Sequence, residues 1–301
     1  MPNGFSCRPL LATVSLCGAL SAQAGDGKLL LTGGVSTIDG AAGGGLTPWA
    51  LIGSYAAPGQ WGATAYATGV RTRDYGLAAY GAALAFGDRV EFSVARQAFD
   101  TRNQLAPLGL LNLTLKMDVV GAKLRVAGDA VVDSDRWMPQ LAVGVFHKKV
   151  DTGALSATLT GALGAKESGT EVYASATKLF LASGVLVNAT LRATQANQGG
   201  LLGFGGTQGK GNRLQPEFSV AWLASRSLAF GAEYRGKPNN LDPGALGAGA
   251  LKEDDWVDVF VAWAPNKHVS LTLAYVDLGR IVPALQPRRQ TGSYVSAQLA
   301  F

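Results

Sequence analysis

Cysteine is almost missing from this 301-residue chain: Cys7 and Cys17 are the only two, and both lie in the first 24 residues. From residue 25 onward there is therefore no disulfide framework, thiolate nucleophile or cysteine-based metal site. Histidine is as scarce, with only His147 and His268 and no His-x-x-x-His spacing, which excludes the usual transition-metal arrangements. Charged residues make up only 16% of the chain, against about a quarter in ordinary soluble domains. The net charge of +5 is spread rather than clustered, which argues against a nucleic-acid partner. No Gly-x-Ser-x-Gly elbow occurs, and Gly40–Gly45 lacks the Gly-Lys-Ser/Thr ending of a phosphate loop. On these absences no catalytic residue, metal or cofactor is expected, and the chain does not read as an enzyme.

Long apolar runs are also missing. Past residue 24, nothing approaches the ~18 consecutive apolar residues of a spanning helix. The longest uncharged stretch, 40–70, is broken by Gly43-Gly44-Gly45, Pro48 and Pro58. Yet 48% of the residues are hydrophobic and 40 are glycine. An apolar composition without a spanning helix is what a membrane β-barrel shows.

The first 24 residues have the build of a secretory signal. Arg8 supplies a positive start, Leu10 to Leu20 an uncharged apolar core, and Ala22-Gln23-Ala24 a small-residue cleavage site. The expected organisation is thus a signal peptide over 1–24 and a single barrel domain over 25–301.

The last ten residues, GSYVSAQLAF, alternate strictly: Val295, Ala297, Leu299 and Phe301 on one face, Tyr294, Ser296, Gln298 and Ala300 on the other. Period two with one apolar face is a strand signal. A terminal aromatic on such a strand looks like the closing strand of a bacterial outer-membrane barrel, where it serves as an assembly signal. Similar alternation recurs along the chain. It predicts an all-β, antiparallel transmembrane barrel of about fourteen strands, with twelve as the alternative. The strands fall near 28–35, 48–56, 60–71, 74–86, 89–99, 112–126, 137–147, 169–182, 184–194, 213–224, 227–236, 255–264, 267–277 and 292–301.

Most connections alternate between short turns and long loops, as such barrels require. The connections 72–73 and 127–136 break that rule. Trp61, Phe86, Trp137, Phe180, Trp222, Trp263 and Phe301 are expected to girdle the periplasmic end. Trp49, Tyr75, Phe99, Tyr173, Tyr234, Trp256, Tyr275 and Tyr294 are expected at the outer end. In 112–126 the alternation places Leu115, Met117 and Val119 outward, with a bulge near Gly121 restoring the phase. Arg96 and Lys178 fall in phase with lipid-facing neighbours.

Strand phase nominates the inward polar residues Glu91, Lys116, Asp118, Lys123, Arg125, Arg192, Glu217, Glu233, Arg235 and Asp258. They would either line a hydrated, charge-sorting lumen or pair with one another and plug it. The expected partners are outer-membrane lipid, the barrel-assembly machinery through the C-terminal strand, and a small solute.

Four strings go beyond patterning: GAAGGGLTPWA (40–50), ATKLFL (176–181), TLRATQANQGGLLGFGG (190–206) and KEDDWVDVFVAWAPNKHVSLTLAYVDLG (252–279). Through them nearly the whole chain after the signal resembles an uncharacterised bacterial family of outer-membrane proteins, a domain of unknown function. The resemblance implies an outer-membrane barrel and carries no substrate or catalytic residues. The loop 195–206, with Gln195, Asn197 and Gln198 beside an apolar LLGFGG run, is expected to fold inward as a constriction or to be an ordinary outside loop. A porin-like channel for the passive passage of small solutes is the function expected first, with a non-conducting structural or binding barrel that presents outer loops to a partner or lipid as the alternative. An outer-membrane lipid-modifying enzyme is a distant third.

Overall fold

The structure is a computed structural model and describes residues 30–31, 35–131, 137–244 and 246–301. The expected signal segment, and most of the expected strand at 28–35, lie outside these residues. So does much of the connection 127–136.

Twelve antiparallel strands run in chain order: β1 (Trp61–Thr72), β2 (Gly76–Phe86), β3 (Val90–Asp100), β4 (Thr114–Ala127), β5 (Gln140–Asp151), β6 (Ser168–Phe180), β7 (Val185–Thr194), β8 (Arg213–Leu223), β9 (Leu228–Arg235), β10 (Trp256–Asn266), β11 (Val269–Asp277) and β12 (Thr291–Ala300). Each pairs with its neighbours in sequence, and β1 pairs with β12, so the sheet closes on itself. Closure leaves no open edge, which is what allows strands to sit in hydrocarbon with every backbone group paired. Phe301 seals the seam: its N–H donates to the Ala63 carbonyl at 2.8 Å, and its own carbonyl accepts from the Ala63 N–H at 3.0 Å.

The strand count is the smaller of the two expected, because 48–56 is not part of the wall. Every residue from Pro48 to Ala56 is buried, whereas wall strands alternate between buried and exposed. Ser54 also has φ 71°, outside extended backbone. This apolar stretch is buried on all sides rather than on one, and an apolar run alone does not distinguish the two cases.

One end of the barrel carries short turns and the other long loops. At the turn end all seven expected aromatics face outward, from Phe86 at 41% exposed to Trp137 at 94%. At the loop end the expectation fails. Tyr75, Phe99, Tyr173, Trp256 and Tyr294 point inward and are buried, as is Trp49 on the inner segment, and only Tyr234 and Tyr275 face out.

β4 shows the reason. Its burial alternates without interruption through Gly121, and the only register irregularity lies at Arg125/Ala127. Leu115, Met117 and Val119 therefore face inward, each no more than 1% exposed, while Lys116 and Asp118 face outward. The bulge expected at Gly121 does not exist. Toward the loop end the wall has a dry inside and a polar outside, because loop residues Leu105, Leu155, Leu159 and Phe204 form one core with the upper strand residues. Assuming that apolar side chains face lipid along a whole strand misplaces that upper part. Of the two lipid-phase cations, Arg96 does face outward and forks onto Asp118 at 2.5 and 2.7 Å. Lys178 keeps the outward phase but is buried, and its ammonium reaches the Met138 carbonyl at 3.4 Å.

Candidate functional site: the filled barrel interior

Residues 35–56 form an inner segment that is buried throughout the barrel interior. It has almost no regular structure of its own, only the isolated bridges Ser36–Ala42 and Gly43–Pro48. Some of its backbone groups bond within the segment, as the Thr37 N–H does to the Ala41 carbonyl at 2.8 Å, and others must find partners elsewhere. The wall supplies them strand by strand.

From β3, the Glu91 carboxylate accepts the Ala42 and Gly53 N–H groups at 3.1 and 2.6 Å. From β4, the Lys123 ammonium donates to the Ala42 and Leu51 carbonyls at 2.9 and 2.7 Å and pairs with Glu91 at 3.2 Å. From β5 and β6, Gln140 donates to the Ala50 carbonyl at 2.7 Å and the Thr177 hydroxyl accepts the Ala50 N–H at 2.8 Å. From β7, the Thr190 hydroxyl donates to the Pro48 carbonyl at 2.7 Å. From β9, the Glu233 carboxylate accepts the Leu46 and Thr47 N–H groups at 2.8 and 3.3 Å as well as the Thr47 hydroxyl. A Cβ added at Gly44 would lie 2.2 Å from a Glu233 oxygen, so only glycine allows this approach.

Above these contacts lies a buried ion cluster. Asp39 of the inner segment meets Lys148 of β5 at 3.0 Å, Arg235 of β9 at 3.0 Å and Arg192 of β7 at 3.4 Å. Two wall carboxylates interleave: Glu171 pairs with Lys148 and Arg192 at 2.9 and 3.2 Å, and Glu217 with Arg192 and Arg235 at 2.8 and 3.4 Å. Charges removed from water this completely persist only when paired and hydrogen-bonded.

The structure thus places Glu91, Lys123, Arg192, Glu217, Glu233, Arg235 and Asp258 buried within the interior. Arg125 points inward at the turn end and pairs with Asp88 and Asp129. Lys116 and Asp118 are the two exceptions, being on the outer surface. Asp39, Lys148 and Glu171 were missed by sequence reasoning. Asp39 sat in an expected loop, and Lys148 lay one residue past the expected end of its strand. Glu171 alternates with Val172 and was legible as an inward carboxylate.

The loop 195–206 does fold inward, as a cap over the loop end. The Gln198 N–H donates to both Glu253 carboxylate oxygens at 2.9 and 3.0 Å, its side-chain carbonyl accepts from Lys237 at 2.7 Å, and its amide nitrogen donates to the Ile281 carbonyl at 3.0 Å. One glutamine therefore ties three loops together. Burial pushes the Glu253 carboxyl up to about 7 and the Lys237 ammonium down to about 8, outweighing their attraction across 3.4 Å. The folded chain thus keeps the Glu253 proton between 4.5 and about 7, where an unfolded chain has lost it. Linkage then requires this contribution to stability to fall as pH rises through that window. Glu253→Gln is expected to remove that component, so that the difference in Tm between parent and variant changes across pH 4.5 to 7. A constant difference over that range would show that Glu253 is not protonated in the fold.

On the opposite side of the interior, toward β10, β11 and β12, Asp258 Oδ1, Thr272 Oγ1 and both amide atoms of Gln298 are buried without a hydrogen-bond partner among the described residues. That side of the wall is not tied to the inner segment by the contacts described above.

Sequence comparison settles the family. Residues 32–298 match the family described as "Protein of unknown function (DUF3034)". The chain belongs to the DUF3034 family. No curated protein is significantly similar to it. Among solved structures, the NanC porin is 7% identical, with 79% of this chain and 98% of that one covered at a TM-score of 0.50. At that identity the likeness shows the fold alone. The KdgM porin, solved in complex with disordered oligogalacturonate, is 9% identical, with 79% and 99% covered and a TM-score of 0.48. Outer membrane phospholipase A from Escherichia coli is 12% identical, with 78% and 92% covered and a TM-score of 0.42. Fold alone does not decide function. This DUF3034 chain is a closed antiparallel barrel of the outer-membrane type, and its interior has to be read from its own residues.

Proposed function

We propose that this DUF3034 protein is an outer-membrane barrel that does not conduct in its resting state, because its own inner segment closes the lumen. The observation that carries this reading is the complete burial of 35–56, fastened to the wall by Glu91, Lys123, Gln140, Thr190 and Glu233. Twelve strands enclose a bore that side chains alone do not fill but that one folded segment can. The turn end then faces the periplasm, the outward apolar belt meets outer-membrane lipid, and the β12 strand with Phe301 engages the assembly machinery. The ordered loop cap becomes the surface offered to a partner. The reading assigns no catalysis to the chain.

Planar-bilayer recording tests it. Folded protein is expected to give no stepwise conductance, and Thr47→Cys/Ser219→Cys, whose parent hydroxyls lie 2.5 Å apart, is expected to stay silent whether oxidised or reduced. Steady steps from the parent that vanish on oxidation of the double variant would overturn the closed reading. Steps that persist when the double variant is oxidised would favour a porin-like lane for small solutes along β10–β12. The unpartnered Asp258, Thr272 and Gln298 atoms support that second reading, since buried polar atoms call for water.

A further inference from the structure

The Asp39 carboxylate is held as a ligand is held. It reaches the wall from a tight turn in which the Gly40 N–H donates to the Thr37 carbonyl at 2.9 Å and Gly40 has φ 99°. Both of its oxygens are engaged, and by different groups. Oδ1 meets Lys148 at 3.0 Å and accepts from the Gln97 amide at 3.1 Å, while Oδ2 meets Arg235 at 3.0 Å and Arg192 at 3.4 Å. These four groups come from four separate wall strands, and Lys148, Arg192 and Arg235 have side chains no more than 4% exposed. Phe146 backs the cluster, with Lys148 and Arg192 each 5.7 Å from its ring centre.

Charge balance shows what the pocket lacks on its own. The wall contributes three cations here, Lys148, Arg192 and Arg235, against two carboxylates, Glu171 and Glu217. The third negative charge arrives only with the inner segment. A buried excess of one positive charge is strongly unfavourable, so the wall without Asp39 demands an anion. The split of partners over two oxygens suits a planar carboxylate better than a spherical ion.

We propose that Lys148, Arg192, Arg235 and Gln97 form a binding site for the carboxylate of a small acidic solute, occupied in the resting barrel by Asp39 as an internal ligand. A solute carboxylate entering the barrel competes with Asp39 for the same four donors. Success in that competition loosens the inner segment at its most highly charged anchor. The proposal rests on the closed-barrel reading for its biological sense, but the site itself is tested without any conductance measurement.

The test is chemical rescue of the full-length chain in detergent, with formate as the probe at constant ionic strength. Asp39→Ala leaves the wall one charge in excess, and its Tm is expected to rise saturably by several degrees as formate replaces chloride. The parent, whose site is filled, is expected to show no such response. Asp39→Ala/Arg235→Met restores neutrality and is expected to be insensitive to formate. Folding of Asp39→Ala only when formate is present supports the proposal equally. A folded Asp39→Ala that ignores formate overturns it. So does an Asp39→Ala that folds at no formate concentration while Asp39→Ala/Arg235→Met folds, because the wall then rejects an untethered carboxylate. Conductance from the parent, by contrast, would sink the closed reading and leave this result standing.

Discussion

Replacing Arg192 with methionine is expected to remove about 3–5 kcal/mol of stability, the usual loss when one member of a buried ion pair is deleted. The Arg192 guanidinium is 1% exposed and serves three carboxylates: Glu217, Glu171 and Asp39. One terminal nitrogen donates to Glu217 at 3.1 Å, and Nε lies 2.8 Å from the other carboxylate oxygen as an ion pair. Methionine fills much the same volume but leaves three carboxylates to share Lys148 and Arg235. The stability is lost through the charge left behind, not through the contact alone. Arg192→Met/Glu217→Gln should therefore recover most of the loss, since the partner charge goes with it. Heat-modifiable migration on gels and denaturant midpoints both read the effect. An Arg192→Met protein with the parent's midpoint would mean that water reaches the cluster and that the interior is not sealed.

The second large effect is expected at Gly44, and it is local where the first is global. An alanine Cβ there would sit 2.2 Å from Glu233 Oε1 and 2.6 Å from its carboxyl carbon. Glu233 is not free to swing aside, because its oxygens hold the Leu46 and Thr47 N–H groups and the Ser219 hydroxyl. Overpacking of this kind costs about 1–3 kcal/mol. The wall is closed by its own ladder, so the strain should fall on the docking of the inner segment. Gly44→Ala is expected to speed amide exchange over 42–53 by roughly ten- to hundredfold, about the factor that this energy implies. Strand amides of β1 to β12 should keep the parent's protection. Faster exchange spread over the strands as well would show that the inner segment and the wall unfold as one unit. In that case displacement of the segment by a solute would be ruled out at ordinary temperature.

Both predictions depend on residues whose visibility in the sequence differed. Arg192, Glu217 and Arg235 lie within strands of clean alternation, so their inward phase could be counted directly. Lys148 and Asp39, their partners, could not be counted. Lys148 belongs to a strand that runs to Asp151, past its expected end at 147. Asp39 has no periodicity around it at all, and only its docking against β5, β7 and β9 makes it important. Lys116 and Asp118 were misjudged for a related reason. Their strand faces a dry cap on its inner side and polar surroundings on its outer, which reverses the apolar-outward pattern of the lower wall.

Local chemistry by itself determined the barrel: period-two strands, turn-end aromatics, the closing Phe301 and the membership of a single antiparallel meander. Those are properties of each strand and its nearest neighbours, and a pleated chain with one apolar face has few other ways to bury it. Tertiary structure alone decided what fills the bore. The local signals in 35–56 point elsewhere, 48–56 reading as a wall strand and 36–47 as a loop, and their actual place follows from hydrogen bonds and charges spread over strands far away in the chain. Which strands come together around a point is set by closure, and closure is a property of the whole sheet.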